Sequence, residues 1–197
     1  MTLTEKQQDY LTEIINIGIG RSAEVLNRMV HTRVRLHVPK IHVVPIPEME
    51  AWIDRSSEGP MSMVSMGFKG KYRGNAALLL TSSNARKIVD LLTNKEYKQL
   101  DMDQLRSSTL NEVGNIVLNS LIGTLGNLLD LRFRYSIPQF VEGKGQALLG
   151  RQEEAGYLIY AETQFNIKSE EISGSFLLFF ELDSQEAFLE ELNKHLD

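Results

Sequence analysis

Apolar residues recur at helical spacing from the start of the chain. Leu11, Ile14, Ile15, Gly18, Val25, Leu26 and Met29 lie three or four positions apart, or multiples of that spacing. This predicts a helix over about 5–30, with Thr4 as its N-cap. The period then shortens to two. Residues 33–44 alternate as a strand does, broken by Pro39, which has no N–H for a sheet ladder and so marks an edge strand or a bulge. Pro45 and Pro47 open a polar stretch to Pro60 that reads as a loop. Residues 61–68 and 74–80 read as two strands joined by a short turn near Gly70. Ser82 or Ser83 is expected to cap a helix ending near Leu92.

The pattern then starts again. A helix is expected from about Gln104 to Leu129, then a strand from Arg132 to Val141 and a loop holding Gly143, Gly145 and Gly150. Strands follow at 156–167 and 173–182, and Asp183 or Ser184 is expected to cap a last helix to about Asn193. At an offset of 99 or 100, Glu13 falls on Glu112, Asn16 on Asn115, Arg33-Val34-Arg35 on Arg132-Phe133-Arg134, Pro39 on Pro138 and Gly74 on Gly174. So many matches in one register point to duplication. The expected fold is α+β: two helix-strand-strand-strand-helix repeats, about 5–95 and 104–195, related by pseudo-two-fold symmetry. One repeat alone would leave a sheet edge and an apolar helix face open, so a single domain over 1–197 is expected. Short hairpin-like connections make its sheet largely antiparallel, packed against long helices.

Composition narrows the chemistry. The 197 residues carry a net charge of −5, which disfavours nucleic acid and membrane surfaces as partners because both need clustered Lys and Arg. There is no Cys, so disulfides, thiolate metal sites and Cys nucleophiles are excluded. The polar N-terminus has no apolar segment of a signal peptide, and no apolar run approaches about 18 residues. The expectation is a cytoplasmic protein.

On the first long helix, Asp9, Glu13, Asn16 and Gly20 line one stripe, with Leu11, Ile14, Ile15 and Gly18 on the other side. On the second, Ser108, Glu112, Asn115 and Asn119 line the equivalent stripe, with Val113, Ile116, Val117 and Leu121 turned to the core. An exposed Glu is commonplace, and Thr109 with Glu112 also fits a capping box that would mark a helix start. Asn, however, is a mediocre helix former, and fold stability does not ask for it twice beside Glu on a polar face. The helix glycines cost about 1 kcal/mol each relative to Ala, which points to close approach between the long helices or by a partner's backbone.

The stretches DYLTEIIN (Asp9 to Asn16) and STLNEVGN (Ser108 to Asn115) both fit the pattern [D/S]-x-x-x-E-x-x-N. In these, and in NIGIG from Asn16 and GNIV from Gly114, the chain resembles the CheC, CheX and FliY family of response-regulator phosphatases over nearly its whole length. Two signatures in a stand-alone chain resemble CheC more than CheX. The resemblance implies a CheC-like fold and hydrolysis of the aspartyl phosphate of a CheY-like receiver domain, hence a role in chemotaxis-type signalling. It implies that Glu13 or Glu112 pairs with a receiver Lys, that Asn16 or Asn115 orients the attacking water, and that Asp9 and Ser108 support the motif. No cofactor of its own is implied; the Mg²⁺ would sit on the receiver. The first signature departs from the family: Ile15 stands where Gly is usual, and Gly20-Arg21-Ser22-Ala23 replaces G-N-A-A. A bulky Ile15 and a cationic Arg21 are expected to disturb docking there, which favours Glu112 and Asn115. The alternative is a non-catalytic module that binds a receiver, a CheD-type deamidase or a flagellar-switch component.

Other groups carry less. His31, His37, His42 and His195 share no helical spacing, so no metal site is expected. Met61, Met63 and Met66 are expected in the core. Gly143-Lys144-Gly145 reads as a turn. Arg33, Arg35, Arg132 and Arg134 are expected to pair with nearby Glu or Asp, with an anion as the other reading.

Overall fold

A computed structural model of the protein describes residues 2–30, 33–56, 59–93, 102–150, 157–167 and 170–196. The chain runs α1 (Glu5–Val30), β1 (Val34–His37), β2 (Ile41–Pro45), α2 (Ile46–Ser56), β3 (Met61–Lys69), β4 (Arg73–Thr81) and α3 (Ser82–Leu92). It continues with α4 (Met102–Leu128), β5 (Arg134–Tyr135), β6 (Gln139–Gly143), α5 (Gly145–Leu149), β7 (Tyr157–Ile167), β8 (Glu170–Phe180) and α6 (Leu182–Lys194). The second series of elements is in the same order as the first. Each expected helix-strand-strand-strand-helix unit is corrected by one further helix and by a split in its first strand.

The added helix α2 replaces the loop expected from Pro45 and Pro47, which bracket its start. Pro47 lies in the first turn, where a missing N–H costs nothing. Ile46, Met49 and Ile53 then fall at helical spacing and are buried. α5, five residues long, replaces the glycine-rich loop, with Lys144 at its N-cap.

The split strands follow from the prolines. His37 pairs with Gln164 and Ile41 with Ala161, so residues 38–40 face only two residues of β7. Tyr135 pairs with Phe68 and Gln139 with Ser65, so residues 136–138 face only two of β3. Each is a one-residue bulge, and each holds a proline that could not have joined a regular ladder.

All strand pairs are antiparallel, and strands of the two halves interleave in the order β1-β7-β8-β4-β3-β5, with β2 also on β7 and β6 also on β3. The central strands are buried on both faces. Ala76, Leu78, Leu80, Phe176, Leu178 and Phe180 face one core, shared with α1, α3, α4 and α6. Ala77, Leu79, Leu177 and Phe179 face a second, smaller core closed by α2 and α5. Met61 and Met63 pack in the smaller core and Met66 in the larger.

Thr4 caps α1 in a capping box: its Oγ1 accepts from the Gln7 N–H at 3.3 Å and its own N–H donates to Gln7 Oε1 at 2.8 Å. The other caps are corrected. Thr81, not Ser82 or Ser83, caps α3 by accepting from the Asn84 N–H, and Glu181 rather than Asp183 or Ser184 precedes α6, without a side-chain cap. β8 also begins earlier, at Glu170, and ends at Phe180. Gly156 and His31 lie outside the described residues. Arg33, Arg35, Arg132 and Arg134 are exposed and make no ion pair among the described residues, contrary to expectation. No helix among the described residues is long and apolar enough to cross a membrane.

One polar knot ties α6 to the β3–β4 turn. Buried Glu191 accepts from Lys71 Nζ and, at 2.8 Å, from the Tyr72 hydroxyl. These hydrogen bonds, that from Lys71 first, hold its carboxyl down from 4.5 to about 2. A depressed folded pKa adds stability above the unfolded value and loses it as pH falls through the folded one. Glu191→Gln is therefore expected to unfold at a lower temperature than wild type at pH 7, with the gap closing between about pH 5 and pH 2. Thermal unfolding across that range checks this; a gap that stays constant sinks it.

Candidate functional site

The two long helices place both stripes. α1 packs along α4, and Gly18 is the point of close approach: a Cβ there would lie 3.0 Å from the Leu121 Cα and 3.2 Å from the Ser120 carbonyl. Leu11, Ile14, Ile15 and Ile19 of α1, and Leu110, Val113, Val117 and Leu121 of α4, are buried. Asp9, Glu13, Ser108 and Glu112 are exposed, while Asn16, Asn115 and Asn119 are half-buried. Thr109 and Glu112 lie well inside α4, which starts at Met102, so they do not cap a helix start.

The two asparagines differ in what they touch. Asn16 Oδ1 accepts from the Val38 N–H at 2.9 Å, and Asn16 Nδ2 donates to the Val38 carbonyl at 2.8 Å and to the Thr12 carbonyl at 3.0 Å. A carboxamide has two N–H donors, and both are taken. The bulge at residues 38–40 is thus clamped onto α1, with Val38 fully buried. Asn115 has one partner among the described residues: its Oδ1 accepts from Asn119 Nδ2 at 2.6 Å. The matching bulge at residues 136–138 is fastened to β3 instead, by Ser136 N–H to the Gly67 carbonyl and Gly67 N–H to Ser136 Oγ, both at 2.9 Å. Ile137, which corresponds to Val38, is 85% exposed.

Between Asn115 and this bulge lies an open cleft of about 640 Å³, lined by Ser108, Asn111, Glu112, Asn115, Asn119, Tyr135, Ser136, Ile137 and Pro138. All the second-stripe positions named from the sequence meet in it. Glu112 makes no hydrogen bond or ion pair among the described residues, and Asn111 Oδ1 is a buried acceptor without a partner. The cleft can therefore offer an uncommitted carboxylate and the Asn115 amide N–H groups to a ligand. Neither Tyr135 nor Ser136 stood out in the sequence. The match of Pro39 with Pro138 was the available signal that this bulge belongs with the helix pair.

The two departures of the first stripe take on other meanings. Ile15 is buried, so it does not obstruct a partner. Its counterpart Gly114 is buried too, and a Cβ there would fall 2.3 Å from Val64 Cγ1. That position sets how closely each helix approaches the sheet. Arg21 reaches across to α4, donating to Thr124 Oγ1 at 3.2 Å.

Comparison with known proteins bears on the fold and the family. The sequence profile of the family described as chemotaxis phosphatase CheX matches residues 62–162. The CheY-P phosphatase CheC of Bacillus subtilis (strain 168) is 25% identical over 140 residues, which cover 70% of this chain and 66% of that protein, slightly under two thirds of its length. FliY of Thermotoga maritima superposes with a TM-score of 0.78 at 19% identity, over 99% of this chain and 100% of that one. The CheX–CheY–BeF3–Mg complex of Borrelia burgdorferi gives a TM-score of 0.53 at 17% identity, over 86% of this chain and 99% of that one.

Proposed function

The chain belongs to the chemotaxis phosphatase CheX family, and from that premise we propose that it accelerates hydrolysis of the aspartyl phosphate on a CheY-like receiver domain. The observation that carries the proposal is the open cleft in which Glu112 and the free amide face of Asn115 stand side by side. The receiver brings the phosphoryl group and its Mg²⁺. Glu112 pairs with a receiver Lys and fixes the approach of α4. Asn115 orients a water whose oxygen attacks phosphorus as the bond from phosphorus to the Asp oxygen breaks. Inorganic phosphate and a free carboxylate result, and the water's proton leaves with phosphate or solvent. Phosphoryl transfer passes through a loose transition state, so positioning and charge do most of the catalytic work. An amide suits that task without any shifted pKa, consistent with a chain that has no Cys.

The same proposal assigns turnover to the second stripe, supported by Ser108, and gives Asn16 of the first a clamping role. It takes 1–197 as one domain made by duplication of repeats at about 5–95 and 104–195, supported by the repeated element order and the interleaved sheet. The occupied carboxamide of Asn16 favours a second role for the first stripe: Asp9 and Glu13 as a contact surface for a receiver, a CheD-type deamidase or a flagellar-switch component, without turnover.

The test is the lifetime of phosphate on the receiver after charging with acetyl phosphate. Wild type shortens it, and Glu112→Ala raises KM about 5-fold, the loss of one exposed ion pair of about 1 kcal/mol. A protein that binds the charged receiver yet leaves the lifetime unchanged, or lengthens it, is a binding module and the phosphatase reading fails.

A further inference from the structure

We propose that Asn119 is a positioning residue that holds the Asn115 carboxamide in one of its two orientations. The inference rests on the reading of Glu112 and Asn115 as the working pair. The terminal torsion of an asparagine is broad and roughly two-fold, so a free carboxamide presents oxygen or nitrogen to a given spot with little preference. Ordering a water requires one choice, because the oxygen only accepts and the nitrogen only donates. Asn119 lies one helical turn after Asn115, and its Nδ2 donates to Asn115 Oδ1 at 2.6 Å. A donor on that side fixes the oxygen and leaves it one further lone pair. Both N–H groups of Asn115 stay uncommitted among the described residues.

The first half orients its asparagine by another route. The position matching Asn119 is Gly20, which has no side chain to donate. Sterics do not demand glycine there, since a Cβ would meet no atom within 4 Å. Asn16 is oriented by the Val38 backbone instead; those bonds take its oxygen and one N–H, and the Thr12 carbonyl takes the other N–H. In the second half the orienting donor comes from α4 itself, so residues 136–138 stand away from the asparagine and the cleft stays open. Asn119 therefore separates orientation of the amide from its occlusion.

A side-chain pair one turn apart also stabilises a helix slightly, so the readout must be kinetic. Three variants are compared on an acetyl-phosphate-charged receiver. Asn119→Ala frees the amide, and kcat is expected to fall about 2-fold with KM unchanged, because an amide without preference spends about half its time in each orientation. Asn119→Asp has the same shape, but when ionised it only accepts, so it turns the Asn115 amide around. Its kcat is expected to fall further, about 20-fold, with the effect of its charge read separately in KM. Asn119→Gln retains a donor and most of kcat. Wild-type kcat in all three, beside an inactive Asn115→Ala, overturns the role of Asn119 and leaves the site assignment standing. Equal losses in all three also overturn it, because the donor would then not matter. Full activity in Asn115→Ala removes the site assignment, and the positioning role with it.

Discussion

Asn115→Ala is expected to lose about 100-fold in the rate at which the charged receiver is dephosphorylated, about 2.7 kcal/mol of transition-state stabilisation, while folding as wild type does. Asn16→Ala, the same change at the matching position, is expected to keep most of that rate and lose stability instead. The reason lies in what each amide holds. Asn115 hydrogen-bonds only with Asn119 among the described residues, so its removal leaves one half-buried amide donor to find water. Asn16 satisfies the N–H and the carbonyl of Val38, a fully buried residue. Removing it leaves both backbone groups without partners, at a cost of about 2–3 kcal/mol. Single-turnover dephosphorylation and denaturant unfolding, run on both variants, separate rate from stability. Equal loss of turnover in the two variants would show that the first pair is also a working site.

Much of this was legible in the sequence because helical spacing determines which residues share a face. Glu13 with Asn16 and Glu112 with Asn115 share stripes as expected, and Pro39 marked the bulge of the first half. The difference between the stripes was not legible, because it depends on a contact between residues 22 positions apart. Val38 folds over Asn16 whereas Ile137 stands clear of Asn115, and spacing within a helix carries no information about a distant bulge. α2 was hidden for a different reason. Its apolar residues are helically spaced, but two prolines at its start outweighed them, although proline is harmless in a first turn. Ile15 is not the docking obstacle expected, because it lies in the core. The residue just before an asparagine on the exposed stripe is rotated by about 100° into the core.

Depth at that position also makes Gly114 the glycine least able to accept a side chain on these helices. In Gly114→Ala the new methyl would sit 2.3 Å from Val64 Cγ1 and 2.8 Å from Val64 Cβ. Val64 is buried and β-branched, which stiffens its χ1, and the sheet holds its backbone between Leu78 and Phe140. The helix must lift from the sheet. Overpacking of this kind costs about 1–3 kcal/mol, which outweighs the roughly 1 kcal/mol that Ala gains over Gly in a helix interior. Asn115 is the next residue, so the lift also moves the amide relative to residues 136–138, and displacement of about 1 Å in a reacting geometry can cost 100-fold in rate. Gly20→Ala is the control: exposed, with open space around its Cβ, it is expected to gain about 0.5–1 kcal/mol. Denaturant unfolding of both variants, and of Gly114→Ala combined with Val64→Ala, tests the cause. The double variant should be more stable than the two single losses predict, because each change makes room for the other. If Gly114→Ala gains stability as Gly20→Ala does, the helix is not held against β3 at this residue, and the inward role given to position 114 is wrong.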